Sequence, residues 1–368
     1  MQISIAKKIF EETIDIVSRY TDPINSSYGL RCILFEITKE KITLSATNGF
    51  ISIVKSINVD NQKIKVIEEG TFLINATLIK NVIRKTSGII NIDDLNGSIN
   101  IVTDDVNYTL APNKVEIFNG IEELFNIKKI EIDTHKFKKA IQSVSFATSQ
   151  DDHVLKCINF SFNDTKIEIT ATDKYRLARY TLDTKEIFTN EFDISVLSSS
   201  VKDLIPNDCP KEAYLFYNST KFGIEYKNTI ITANSSDVTY PKLEYLFDTK
   251  EIKSTLKIKK DVFMDLMNKA YVISSPGYKK ISLAINKNEL KISVLIPEIG
   301  TSLVKTKNFE FQSEKQNVSF DLDFNFIKES LSVYSDEVVL LIDDKPSKIL
   351  IISKSNQEAK QIISPTRG

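Results

Sequence analysis

The chain is poor in the residues that build cofactor and metal sites. It has only 10 glycines among 368 residues, and no two of them lie within two positions of each other. Neither a G-x-G dinucleotide loop nor a Walker A phosphate loop can therefore be formed. The two histidines, His135 and His153, are too far apart for an HExxH motif and too few for a site of three or more histidines. We expect no cofactor and no metal.

Cysteine and long apolar runs are also scarce. The three cysteines, Cys32, Cys157 and Cys209, are far apart and form no CxxC or zinc pattern. This usage predicts no disulfide framework and fits a reducing compartment, so we expect a cytoplasmic protein. The N-terminal stretch has acidic residues among its apolar ones, and no apolar run approaches 18 residues. We therefore expect no signal peptide and no membrane partner.

No set of residues forms a catalytic constellation. His135 stands beside Lys136 at a predicted helix start, and His153 follows Asp151 and Asp152 in a polar stretch. Both histidines are more typical of a surface than of a general base. Turn chemistry explains the acidic pairs of this chain as well as metal binding does. A hydrolase that uses these pairs and His153 is an alternative without a motif, and we expect a protein that is not an enzyme.

Three stretches share one helical pattern. Each has apolar residues at i, i+4 and i+7, which places them on one face of an amphipathic helix. The offsets between the stretches are 127 residues (10 to 137) and 126 residues (137 to 263). The three sets are Phe10, Ile14 and Val17; Phe137, Ile141 and Val144; and Phe263, Met267 and Ala270.

A hairpin pattern follows each helix. Apolar and polar residues alternate around a polar turn, which is typical of a half-buried hairpin. The last apolar residue of one strand and the first of the next are Ile37 and Ile42, Phe162 and Ile167, and Ile285 and Leu290. A second helix recurs later in each stretch, at 79–83, 201–205 and 327–331.

These repeats predict an α+β chain of three similar domains. We expect the domains at 1–126, 127–248 and 249–368, each a doubled β-α-β-β-β unit. The alternative is a run of unrelated α+β domains whose apolar patterns coincide. The repeats favour the first interpretation, because helix phase, hairpin spacing and element order recur together.

Positive charge is concentrated on the predicted helices. The whole chain has a formal net charge of −1. The six predicted helices, 7–19, 77–85, 134–145, 197–205, 259–269 and 326–334, together carry +7, which leaves −8 for the remainder. If these helices share one surface, it suits a phosphate backbone, and no aromatic residues interleave for base stacking. Taken one at a time, the same lysines also fit ordinary solvated helix faces.

One stretch resembles a family signature. Residues 170–178 run Thr-Ala-Thr-Asp-Lys-Tyr-Arg-Leu-Ala, which resembles the Ala-Thr-Asp-x-x-Arg-Leu-Ala signature of the bacterial DNA polymerase III beta subunit family, the sliding clamps. Tyr240-Pro241 matches the family's aromatic-Pro turn, and the tail from Ile363 matches its apolar-Pro-x-Arg-x ending. The chain departs from the family pattern at Lys174-Tyr175, where Gly-His is usual, and at Ser364 and Thr366, where bulky apolar residues are common.

The resemblance implies a ring. Two three-domain subunits would join head to tail, with twelve helices lining a hole and sheets on the outside. Helices about 9.5 Å apart give a circumference of about 114 Å and a diameter of about 36 Å. Subtracting one helix thickness of about 10 Å leaves about 26 Å, which is room for duplex DNA.

The resemblance also implies three sets of site residues. The partner-peptide pocket would comprise Leu155, Thr172, Lys174, Tyr175, Arg176, Leu177, Pro241, Leu246, Ser347, Ile362, Ile363, Ser364, Pro365, Thr366 and Arg367. The DNA-facing residues would be Lys7, Lys8, Lys80, Arg84, Lys136, Lys138, Lys139, Gln150, Lys202, Lys259 and Lys260. The dimer interface would include Tyr108, Val272 and Ile273.

The function that the resemblance implies is that of a non-catalytic processivity factor. It would encircle double-stranded DNA without sequence readout and tether DNA enzymes. The expected partners are a second copy of the chain, the replicative DNA polymerase III alpha subunit, the clamp loader and other replication and repair enzymes that bind clamps. The alternative from another class is an α+β repeat scaffold that never meets DNA. The cysteine usage and the charge confined to helices disfavour that alternative.

Overall fold

The structure is a computed structural model, and it describes residues 1–366 of the chain. Its contacts divide the chain into two compact units. The first unit comprises residues 1–134 and 199–235, and the second comprises 135–198 and the residues from 236 onward. The division into three repeated domains stays a prediction.

The helices are short and amphipathic. No helix among the described residues has the length and apolar character that crossing a membrane requires. All nine residues of the three predicted i, i+4, i+7 sets are buried, which confirms those helix faces. The α-helices between residues 1 and 366 are α1 (Lys7–Val17), α2 (Ala76–Arg84), α3 (Thr134–Val144), α4 (Ser198–Lys202), α5 (Lys260–Ala270) and α6 (Phe324–Ser332).

The strands outnumber the helices, and the strand pairs described below are antiparallel. They are β1 (Gln2–Ala6), β2 (Cys32–Ile37), β3 (Lys41–Thr47), β4 (Ile51–Asn58), β5 (Ile64–Glu68), β6 (Gly70–Asn75), β7 (Ile89–Leu95), β8 (Ser98–Val102), β9 (Asn107–Leu110), β10 (Lys128–Asp133), β11 (Cys157–Thr172), β12 (Arg176–Leu197), β13 (Glu212–Tyr217), β14 (Lys221–Tyr226), β15 (Thr229–Ser236), β16 (Ile252–Lys259), β17 (Lys280–Asn286), β18 (Leu290–Ile296), β19 (Gly300–Thr306), β20 (Glu310–Ser313), β21 (Asn317–Asp323), β22 (Glu337–Asp343), β23 (Ile349–Ile352) and β24 (Ala359–Ile363).

The first unit contains two sheets with helices packed on them. One sheet has the order β5-β1-β7-β8-β9, so β9 is an edge strand. In the other, the paired strands run β10-β13-β14-β15-β4-β3-β2-β6. Helix α1 packs on this sheet through Phe10, whose ring lies 6.0 Å from that of Phe35, and Phe35 stacks on Phe72 at 4.5 Å. Aromatic packing of this kind joins the helix to the sheet.

The second unit is organised in the same way. Its strands pair in the orders β20-β16-β22-β23-β24-β12-β11 and β19-β18-β17-β21. Helix α6 begins after Asp323, whose carboxylate accepts the backbone N–H groups of Asn325 and Phe326 at 2.8 and 3.2 Å. This is the N-cap arrangement that satisfies the free donors of a helix start.

Two of the predicted hairpins have the expected register. Ile37 pairs with Ile42, and Ile285 pairs with Leu290. In the middle stretch, β11 runs on through the predicted turn, but its register against β12 shifts on either side of Asp164. Asp164 has φ of 51°, a left-handed value that suits a turn residue. In this register Phe162 pairs with Phe192 and Ile167 pairs with Leu182, so the hairpin between Phe162 and Ile167 stays a prediction.

Gly223 in β14 is required by close packing in the first unit. A Cβ at this position would lie 2.2 Å from the carbonyl oxygen of Ile231 and 2.3 Å from the Phe216 ring. We expect Gly223→Ala to lower the free energy of unfolding by about 1–3 kcal/mol, because the backbone of β15 cannot yield easily. Denaturant unfolding measures this, with Ser219→Ala, an exposed site in the same unit, as the control. Equal stability of the two variants would contradict the packing argument.

Candidate functional site

An apolar row crosses four strands of the second unit. Leu177 of β12 pairs with Ile362 of β24, Ile362 pairs with Leu350 of β23, and Leu350 pairs with Leu341 of β22. Paired residues in neighbouring strands project from the same face of a sheet. Leu177, Leu350 and Ile362 form a buried cluster, with exposures of 3%, 3% and 4%. Ile352 packs against it as well.

A short turn supplies the rim of this cluster. The 3-10 turn at Glu244–Phe247 follows Tyr240-Pro241. Leu243, Leu246 and Phe247 pack against the cluster and remain partly exposed. The Lys348 ammonium donates to the carbonyl oxygens of Leu246 and Asp248, at 2.8 Å each, and so holds the turn in place. We call Leu243, Leu246 and Phe247 the rim. The apolar cluster comprises eight residues, the rim included: Leu177, Leu243, Leu246, Phe247, Leu341, Leu350, Ile352 and Ile362.

The signature stretch forms the tight turn between β11 and β12. Asp173 accepts the backbone N–H groups of Tyr175 and Arg176, at 3.0 Å each, and the Arg176 Nε–H at 2.9 Å. The Thr172 hydroxyl donates to the Arg176 carbonyl oxygen at 2.6 Å. The Thr172 N–H donates to the Tyr240 hydroxyl at 3.1 Å, so the aromatic-Pro segment is fastened to this turn. Burial raises the pKa of Tyr240 well above its ordinary value.

Lys174 occupies the position where the family pattern has glycine. Its φ is 80°, a left-handed value that glycine adopts more easily. Its ammonium lies 2.8 Å from the Asp152 carboxylate. The hydrogen bond from Lys174 lowers the pKa of Asp152, and the same hydrogen bond raises the pKa of Lys174. Lys174 therefore connects the turn to the loop before β11.

Arg176 lies on the other side of β12 from Leu177, because neighbouring residues of a strand face opposite ways. Its guanidinium pairs with Asp173 and with Glu329 of α6. It also lies over the ring of Phe326, with 4.5 Å between the guanidinium carbon and the ring centroid. The exposed Tyr175 ring stacks near Phe326, at 6.3 Å. The predicted pocket residue Arg176 thus joins the turn to α6 and is not part of the apolar cluster.

The tail lies beside the turn. Ile363 pairs with Arg176, and the Ser364 N–H donates to the Tyr175 carbonyl oxygen at 2.8 Å. The Thr366 N–H donates to the Asp321 carbonyl oxygen at 2.9 Å. Pro365 is partly exposed. Arg367 lies outside the described residues.

The remaining predicted pocket residues are more dispersed. Leu155 is buried, at 5% exposure, and is not in the apolar cluster. Ser347 lies exposed in the turn before β23, and its N–H donates to Asp343 at 3.0 Å. Pro241 is exposed next to Tyr240. The structure therefore brings together Leu177, Leu246 and Ile362 of the predicted set.

The sequence analysis missed five members of the cluster and one residue beside it. The members are Leu243, Phe247, Leu341, Leu350 and Ile352, and the neighbour is Arg179. The alternation of β12 places Arg179 on the same face as Leu177, which the sequence could have indicated. The β22 and β23 residues belong to an ordinary apolar strand pattern, so their role here depends on which strands pair.

The predicted DNA-facing residues differ in their surroundings. In the first unit, the ammonium of Lys80 and the guanidinium of Arg84, both on α2, each lie 3.1 Å from the Asp15 carboxylate on α1. Lys7 lies 3.6 Å from Glu11. Neighbouring carboxylates therefore partly neutralise the positive charge of these side chains.

In the second unit, α3 presents the most exposed basic face. Its Phe137, Ala140, Ile141 and Val144 are buried, and the predicted set Lys136, Lys138 and Lys139 is exposed. Lys260 donates to the Tyr334 carbonyl oxygen at 2.5 Å. The other predicted positions, Lys8, Gln150, Lys202 and Lys259, are exposed.

The predicted dimer residues lie on one edge strand and in the segment that follows α5. Tyr108 is partly exposed on β9, at the edge of its sheet in the first unit. In the second unit, Val272 is 77% exposed and Ile273 is partly buried, just after α5. The edge strand β19 and its neighbour β18 expose Leu303 and Leu295, at 57% and 60%. An unpaired edge beside exposed apolar side chains invites association with another chain.

No group of three or more His, Cys, Asp or Glu side chains among residues 1–366 is placed to hold a metal ion. What the second unit offers is an apolar cluster with a partly exposed rim beside a tight polar turn. Such an arrangement suits a short peptide with apolar anchors.

Comparison with known proteins gives a consistent family. Residues 131–242 match the family described as DNA polymerase III beta subunit, central domain. The chain is 27% identical to the beta sliding clamp of Mycoplasmopsis pulmonis (strain UAB CTIP), with both chains covered completely. It is 22% identical to that of Streptococcus pneumoniae (strain ATCC BAA-255 / R6), covering 100% of this chain and 99% of the relative.

The solved structures agree at the level of the fold. The DNA polymerase sliding clamp from Bacillus subtilis superposes with a TM-score of 0.93 at 19% identity, covering 100% of this chain and 99% of that chain. The protein therefore has the α+β fold of DNA clamps. The signature turn lies within the stretch that matches the central-domain family, and the relatives matched along the whole chain are beta sliding clamps.

The signature turn should depend on Asp173. In Asp173→Ala the Arg176 side chain and two backbone N–H groups lose an acceptor, whereas Asp173→Asn keeps one acceptor oxygen for the backbone. We expect Asp173→Ala to destabilise the turn locally by about 2 kcal/mol and Asp173→Asn by less. Hydrogen exchange at the Tyr175 and Arg176 amides measures this. Exchange in the alanine variant as slow as in the unchanged chain would refute the role of Asp173.

Proposed function

We propose that the chain works as a DNA sliding clamp. It encircles duplex DNA, slides without reading sequence, and holds the replicative DNA polymerase III on its template as a non-catalytic accessory subunit. The observation that carries this function is the sequence similarity to beta sliding clamps along the whole chain. The fold is likewise shared over the whole chain. We place the protein in the cytoplasm, in keeping with its cysteine usage.

The proposed ring is a homodimer. The edge strand β9 of one subunit would pair beside β19 of the other, and the same contact would recur on the opposite side. Two identical heterologous contacts would close the ring, so no sheet edge would be left free for a third subunit. Exposed Val272, Leu295 and Leu303 support this, because pairing would bury them.

The proposed DNA contacts are electrostatic. Lysines of α3 are exposed on the face opposite its buried residues, where they can approach phosphates. Contacts of this kind weaken with salt and are indifferent to base sequence. Because Asp15 pairs with Lys80 and Arg84, we expect α3 to contribute more than α2.

The proposed partner site is the rim of the apolar cluster. A partner peptide would place its apolar anchors against Leu243, Leu246 and Phe247, which are partly exposed, above the buried Leu177 and Ile362. Several partners would use this one site in turn: the polymerase III alpha subunit, the clamp loader and other replication and repair enzymes. The scaffold alternative is not favoured, since the relatives matched along the whole chain are sliding clamps.

The ring predicts topological retention on DNA. Once loaded, the protein should remain on circular DNA at high salt and leave when the circle is linearised, because the link is mechanical rather than adhesive. Ile273→Asp should give monomers and lose retention, since a charge would be buried at the interface. Gel filtration with a nuclease-release assay measures both. Retention that survives linearisation, or a ring formed by the aspartate variant, would contradict the proposal.

The peptide site predicts a loss of partner binding on truncation. Leu177→Ala and Leu246→Ala should each weaken binding of a polymerase tail peptide about 30-fold, as removal of a central anchor contact costs about 2 kcal/mol. Fluorescence anisotropy measures the affinity. Ile187→Ala, an exposed site on the same strand as Leu177, is the control and should bind normally. Unchanged affinity in both leucine variants would rule out this site.

A further inference from the structure

Arg179 lies at the edge of the apolar cluster. It stands two residues after Leu177 on β12, so the two side chains project from the same face. The residue is only 8% exposed. Its guanidinium carbon lies 4.4 Å from the ring centroid of Phe247, which is part of the rim. A cation is thus buried next to the surface proposed to receive a peptide.

The hydrogen-bond donors of this guanidinium are unequally used. Its Nη1 lies 3.2 Å from a Glu168 carboxylate oxygen. Its Nη2 lies 3.7 Å from a carboxylate oxygen of Glu244, a side chain that is 63% exposed. Its Nε is buried and has no hydrogen-bond partner. A buried donor without an acceptor is unfavourable, so the edge formed by Nε and Nη2 is ready for a better acceptor.

We propose that Arg179 determines the specificity of the partner-peptide site by binding a carboxylate of an acidic peptide. The carboxylate would accept from Nε and Nη2 together, the two-pronged geometry in which arginine binds carboxylates best. Glu244 occupies part of this place in the free chain and would swing into solvent as the peptide enters. The inference rests on the proposed peptide-binding function and adds the chemistry of the peptide to it.

Glu244 is the partner that should give way. Its distance to Arg179 is longer than that of Glu168, and its side chain is already mostly in water. Exposed ion pairs are weak, so exchanging this one for a peptide carboxylate costs little. The arriving carboxylate also supplies an acceptor to Nε, which Glu244 does not. The acidic residue should lie close to the peptide's apolar anchors, because Arg179 borders Phe247.

The experiment compares matched peptides on the full chain. The probes are nine-residue fluorescent peptides with two leucines and one phenylalanine, in which a single Asp is moved through the positions beside these anchors. Each has a counterpart with Asn at the same position. Fluorescence anisotropy at low salt gives the affinity ratio of each Asp and Asn pair. We expect the best Asp peptide to bind about tenfold more tightly than its Asn counterpart, a charge-assisted gain.

Variants of the chain test whether Arg179 causes the affinity ratio between the Asp and Asn peptides. Arg179→Met should reduce it to about one and leave the Asn peptide within about threefold of its original affinity, because the apolar rim remains. Arg179→Lys should keep only part of the ratio, since an ammonium lacks the two-pronged edge. Glu244→Gln should increase the ratio, because the competing carboxylate is gone. Arg31→Met, which removes another aromatic-stacked arginine in the first unit, is the control and should leave the ratio unchanged.

Three results would overturn the inference. They are an undiminished ratio in Arg179→Met, no preference for Asp at any position in the unchanged chain, and a ratio that Glu244→Gln does not raise. The last applies even if Arg179→Met fails to fold, which its melting temperature would reveal. Failure of the proposed function looks different, since neither the Asp nor the Asn peptides would then bind the unchanged chain.

Discussion

The candidate site depends on the antiparallel pairing of β12 with β24. This pairing brings residues 176–180 beside residues 359–363, two segments that are far apart in the chain. It places Leu177 next to Ile362, and the further pairing of β24 with β23 adds Leu350 to the row. Because side chains of a strand alternate between faces, a shift of one residue would turn this whole row away from the rim. The register therefore decides whether an apolar surface exists at all.

The same alternation gives the two arginines of β12 different roles. Arg176 projects towards α6 and has Asp173, Glu329 and the Phe326 ring around it. Arg179 projects towards the rim and retains an unpartnered donor. Arg176 uses its donors to hold the turn, whereas Arg179 keeps one N–H donor for a further acceptor. A single strand thus supplies both the support of the site and its polar edge.

The charge of a helix, counted from its sequence, does not give the charge that the helix presents, because side chains of neighbouring helices can neutralise it. Helix α2 has two basic residues, Lys80 and Arg84, and Asp15 of α1 faces both of them. The summed charge of α1 and α2 does not change. The positive potential at α2 is nevertheless weaker than the basic residues of α2 alone would give, because Asp15 offsets it. Helix α3 has its lysines on an exposed face. The distribution of charge among helices is therefore a property of their packing.

Much of this protein follows from the sequence by itself. Local periodicity determined the faces of α1, α3 and α5 and the hairpin registers at Ile37–Ile42 and Ile285–Leu290, because these depend on neighbours within a few residues. Tertiary structure alone decided that Leu341, Leu350 and Ile352 join Leu177, and that Glu329 faces Arg176 while Phe247 borders Arg179. Those contacts depend on which distant strands pair, and an apolar strand pattern carries no information about its partner.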